Sequence, residues 1–162
     1  MIAHYYQVNT NEIEDAQIRI GLSYNDFREV ISNEKYIIQH LDIDISWLNL
    51  VEVFKDIQTI ESTVNIGEMA FYGKEIANKF QSDGLINFLD HQDVKLVQKY
   101  MESIAISNKE EFIEKFNSTT FTQFGKIDYS ESYNYLYGHF MKLKDFYSKC
   151  EQEDCVIIVS IG

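Results

Sequence analysis

The chain has 162 residues, 45% of them hydrophobic, which suits one globular domain with a sizeable core and excludes wholesale disorder. Its 14 Lys and Arg stand against 26 Asp and Glu, a formal net charge of −12. No basic run is available to replace the counterions around phosphates, so nucleic acid and anionic membrane are excluded, while solubility or a basic protein partner drawn in by long-range steering fits.

Ile2 to Val8 alternates Ile2, His4, Tyr6 and Val8 against Ala3, Tyr5 and Gln7, the pattern of a first strand with both faces at least partly covered. Met1 to Gln7 has neither the basic region nor the long apolar run of a signal peptide, so the expected compartment is the cytoplasm. Asn9-Thr10-Asn11 supplies a helix start, and Ile13 to Ile20 reads as a short helix. Ser23 and Asp26 have capping-box-like spacing and open another, with Phe27, Val30 and Ile31 on one face. Leu41 to Ile45 alternates as a strand. Ser46 then caps a helix with Trp47, Leu50, Val51 and Phe54 at i, i+3, i+4 and i+7. From Lys55 to Gly73 the periodicity is weak and reads as loop with some helix.

Leu85, Ile86, Phe88 and Leu89 lead to Asp90, a cap for a helix running to about Ile104 with Val94, Val97, Met101 and Ile104 as its buried stripe. Ser107 and Glu110 form a capping box for a helix that turns Phe112, Ile113 and Phe116 inward. Asp128 and Glu131 open the longest helix, where Tyr129, Tyr133, Leu136, Phe140, Leu143, Tyr147 and Cys150 step by four and three. Cys150 and Cys155 are too few for a zinc site or a disulfide framework and are expected reduced near the last strand. Cys155 to Ile161 is a near-continuous β-branched run, the signature of a strand buried on both faces. The expected fold is therefore α/β (α+β): a small mixed sheet with helices packed on both faces, in a single domain over 1–162. No stretch approaches the ~20 apolar residues that span a bilayer. There is no proline, so turns fall to Gly, Asn, Asp and Ser.

Leu41-Asp42-Ile43-Asp44-Ile45-Ser46-Trp47 followed by an apolar helix resembles the Asp-Leu-Asp-Lys-Ser-Trp segment of YfbM-like bacterial proteins. The N-terminal strand Ile2 to Val8, the stretch Leu89 to Met101, the Glu110 to Phe116 helix and the ending Leu143 to Tyr147 plus Val156 to Ile161 resemble the same family. The resemblance covers most of the chain as scattered anchors, and it implies a YfbM-like fold without implying a biochemical role. Two departures stand out. The family's His-Gly-Leu-His after the tryptophan is replaced by Leu48-Asn49-Leu50, and its Tyr-Gly-Pro-Ala-Arg survives only as Tyr72-Gly73-Lys74-Glu75.

Chemistry-bearing patterns are sparse. His4, His40, His91 and His139 show no His-Glu-x-x-His spacing; His40 beside Asp42, or His91 beside Asp93, becomes a metal site only if the fold adds ligands. Gly-x-Ser-x-Gly, a phosphate-cradling glycine loop and Cys-x-x-Cys are all missing, so neither a catalytic set, a metal nor a cofactor is expected. The binding candidates are Asp42, Asp44, Trp47, Tyr72, Tyr133 and Tyr137. In an extended segment Asp42 and Asp44 share a face, and Tyr133 and Tyr137 share a helix side with the contact area typical of protein-binding surfaces. The leading expectation is a non-catalytic binding or regulatory protein, immunity-like, for a basic partner. The alternative is a small hydrolase using Asp42 and Asp44 with His40 near Trp47.

Overall fold

The sheet is assembled around the last strand. A computed structural model, which describes residues 2–9, 30–44, 47–55, 65–75, 85–121, 133–150 and 155–162, sets β5 (Cys155–Ile161) between β1 (Ala3–Asn9) and β4 (Leu85–Leu89). Outside them lie β2 (Ile37–Ile43), against β1, and the two-residue β3 (Lys74–Glu75), against β4, giving the order β2-β1-β5-β4-β3. A central strand touches neighbours on both edges and cover on both faces, which is why Val156 to Val159 is β-branched throughout.

The α/β class and the two-sided helical cover hold, with one difference from the expected mixed sheet. All four pairings among the described strands are antiparallel. An unbroken apolar run reports burial on two faces and is silent on the direction of its neighbours.

One face of the sheet carries the main core. Ala3, Tyr5, Ile43, Leu89, Ile157, Val159 and Ile161 point into it, beneath α1 (Trp47–Lys55), α2 (Ile66–Tyr72), α3 (His91–Ser103), α4 (Lys109–Ser118) and α5 (Tyr133–Ser148). The other face is covered over a smaller area, where the helical residues Val30 and Ile31 meet Val8 and Ile158. The phenylalanines join the helices of the main layer. Phe54 stacks on Phe71 and Phe140 at 5.6 and 4.9 Å, and Phe140 on Phe112 at 5.7 Å, linking α1, α2, α5 and α4.

The helical stripes fall where periodicity puts them. Val94, Val97, Met101 and Ile104 are buried, as are Leu136, Phe140, Leu143 and Tyr147. Asp90 caps α3 in a reciprocal capping box with Asp93. For α4 the cap sits one residue later than expected: Asn108 accepts from the Glu111 amide, while Glu111 reaches back to the Ser107 amide. The weakly patterned stretch before Gly73 contains α2, capped by Asn65. The expected helix over Ile13 to Ile20 and the caps at Ser23, Ser46, Asp128 and Glu131 lie outside the described residues.

Helix C-termini leave carbonyls without partners inside the helix, and here buried tyrosines and half-buried glutamines supply the donors. The Tyr100 hydroxyl donates to the Phe54 carbonyl of α1 at 2.6 Å. Tyr5 and Tyr147 donate to Phe71 and Ala70 of α2 at 3.2 and 2.6 Å. Gln98 and Gln39 amides donate to carbonyls at the end of α5, Gln98 to Tyr147 at 2.9 Å and Gln39 to Phe146 at 2.8 Å. No helix among the described residues is long and apolar enough to cross a membrane.

Candidate functional site

Side chains on a strand alternate faces, so the residues opposite the main core can be read from the register. On β1 these are His4 and Tyr6, on β2 His40 and Asp42, and β1 pairs with β2 so that His4 faces Asp42 and Tyr6 faces His40. His4 Nδ1 and His40 Nε2 each lie 2.6 Å from the same carboxylate oxygen, Asp42 Oδ1. The Tyr6 ring stacks on the His40 imidazole at 4.3 Å and 4°, and the two imidazoles stack at 5.8 Å and 16°. The site is open: the side chains of His4, His40 and Asp42 are 32%, 38% and 54% exposed. Burial raises the Tyr6 phenol above its ordinary value, and the Asp42 charge adds to the effect. Among the described residues these three form the group whose metal-ligating atoms lie within 4.8 Å of one another.

Asp44 has a different environment. Strand β2 ends at Ile43, and the Asp44 carboxylate accepts a hydrogen bond from Tyr135 on α5. Tyr135 in turn meets His139 edge-on at 4.5 Å. Burial lowers the His139 imidazole below its ordinary value; the nearby Asp44 charge works against that shift and Lys142 reinforces it. Asp42 and Asp44 therefore serve separate clusters, because the extended backbone that would align them stops between the two.

The aromatic candidates also separate. Tyr133 and Tyr137 are half-buried and pack on Phe116 and Phe112 of α4, and the Tyr133 hydroxyl donates to Asn117 at 3.0 Å. Tyr135, on the other side of α5, is the exposed one at 47%. Tyr72 is half-buried against the main core, its phenol pushed up to about 12 by burial and by Glu68 and Glu52. The Trp47 side chain lies outside the described residues. His4 is the residue that sequence reasoning did not connect to His40 and Asp42. Strand alternation gives its face, but its partner is fixed by a pairing 38 residues away.

The comparisons with known proteins agree on the fold. A family model described as a domain of unknown function, DUF1877, matches residues 1–160. The crystal structure of a protein of unknown function, YfbM from Escherichia coli, superposes with a TM-score of 0.61 at 16% sequence identity. That likeness covers 99% of this chain and 100% of the other. No curated protein matches the chain.

Proposed function

We propose a function for a chain that belongs to the DUF1877 family: it is a non-catalytic binding or regulatory domain whose partner is a basic protein, engaged by the open face of the sheet. The observation that carries this reading is the composition of that face. Ile2 and Ile38, each 41% exposed, share it with the carboxylate of Asp42, in a chain whose net charge is −12. Exposed apolar side chains beside a carboxylate supply contact area, and the net negative charge supplies steering, the two things an acidic protein needs to capture a basic one. The separate environments of Asp42 and Asp44 favour binding over a hydrolase built on that acid pair.

A matched pair of variants tests the surface. Ile38→Lys places a repelling charge on the open face, whereas Leu96→Lys makes the same change at a 47% exposed residue of α3, in the helical layer. Affinity capture from the source cell should recover a basic protein with the parent chain and with Leu96→Lys, lose it with Ile38→Lys, and weaken as salt rises. Equal recovery by both variants would rule out this face.

A further inference from the structure

Independently of any protein partner, we propose that His4, His40 and Asp42 form a binding site for a divalent transition-metal ion of the zinc class. Two imidazole nitrogens and one carboxylate oxygen are a ligand set of intermediate softness, suited to Zn2+, Co2+, Ni2+ or Fe2+ and poorly suited to Ca2+ or Mg2+, which favour all-oxygen shells. His4 Nδ1 and His40 Nε2 converge on the same Asp42 oxygen, although each ring is about a third exposed and could hydrogen-bond to water instead. An exposed histidine–carboxylate pair gains little stability, so folding alone does not call for two imidazoles on one oxygen.

The ligands are also pre-positioned. His4 and Asp42 are direct cross-strand partners, and His40 stands two residues from Asp42 on the same face of β2. The face-to-face contact of His40 with Tyr6 fixes the imidazole plane, so little side-chain freedom remains to be lost when an ion binds. Metal–ligand bonds of ~2.0–2.2 Å around a tetrahedral ion place ligand atoms roughly 3.3–3.5 Å apart. The two 2.6 Å contacts then need to open by only about 1 Å, a side-chain adjustment that leaves the strand pairing alone. The ion takes the place of the proton between His4 Nδ1 and Asp42 Oδ1 and opens the His40 Nε2 contact with the same oxygen. Each histidine ligates as neutral imidazole, with its remaining proton on the outward nitrogen, and any excess proton leaves to solvent. Three protein ligands on an open face leave at least one position for water, as in open rather than closed zinc sites.

Calorimetric titration of the purified chain with Zn2+, paired with Co2+ absorption as a reporter of ligand type, tests the site. We expect one ion per chain, an affinity loss of about 10–100-fold or more in His40→Ala and in Asp42→Asn, and none in the control His91→Ala. Excess Ca2+ should not compete. The proposal is overturned if the parent chain takes up no Zn2+, if His40→Ala and Asp42→Asn bind it like the parent, or if Ca2+ displaces it. The partner-capture experiment uses Ile38, which is outside this ligand set, so the two ideas fail separately.

Discussion

Tyr100 shows how one buried hydroxyl can hold two helices in place. Its ring is 2% exposed, and its oxygen gives a hydrogen bond to the Phe54 carbonyl near the end of α1, where no amide of the same helix is available. Replacing it with Phe keeps the ring packing and leaves a buried acceptor unsatisfied. We expect Tyr100→Phe to lower unfolding stability by about 1–3 kcal/mol in urea titrations, without changing the denaturant dependence. A loss of only a few tenths would mean that the Phe54 carbonyl finds another donor. This role was not legible in the sequence, where Tyr100 lies outside the apolar stripe of Val94, Val97, Met101 and Ile104. Periodicity identifies which side of a helix is buried, but a hydroxyl's partner 46 residues away is a property of the assembled fold. The same limit hid His4, because strand alternation gives its face and the cross-strand register gives its neighbours.

Where α2 crosses the end of α1, the packing depends on a side chain that is not there. A Cβ added at Gly67 would overlap the Phe54 carbonyl and come within 2.7 Å of the Tyr100 hydroxyl. Gly138 in α5 has nothing within 4 Å of the same added atom. Glycine to alanine inside a helix is ordinarily favourable by about 0.5–1 kcal/mol, so the two sites should respond with opposite signs. Gly138→Ala should raise the urea midpoint, whereas Gly67→Ala should lower stability by about 1–3 kcal/mol or more, since backbone lies in the way and the Tyr100 bond is disturbed. Stabilisation by both would show that α2 can move away from α1 at little cost. At this scale the long helices were readable because ten or more residues repeat their apolar spacing, as Leu136, Phe140, Leu143 and Tyr147 do. Strand β4 was not recognised: Leu85 to Leu89 is only five residues and runs straight into the Asp90 cap, so its apolar side chains read as the approach to a helix. Strand β3, two residues long, carries no pattern at all.

Across the whole molecule, the buried phenols and a thiol set an alkaline limit on stability. Burial raises Tyr5, Tyr100 and Tyr147 above their ordinary value of 10.0, and pushes Cys150 from 9.0 up to about 12 against a lowering hydrogen bond from Gln39. A group whose pKa is raised by folding contributes fully below its unfolded value and loses that contribution as pH rises toward its folded value. The thiol's contribution therefore begins to fade above pH 9.0 and that of the three phenols above pH 10.0. Above pH 10.0 the unfolded chain releases protons from these groups that the folded chain still holds, so stability falls as pH rises. Salt screens the repulsion within a chain of net charge −12 and leaves the contribution of these buried groups nearly untouched. Urea titrations at a series of alkaline pH values, followed alongside tyrosinate absorbance, should show these three phenols ionising only as the chain unfolds. The parent slope should exceed that of Tyr100→Phe by about one proton, at any salt concentration. Equal slopes for the two chains, with the phenols ionising before the fold is lost, would mean that water reaches these rings in the native state.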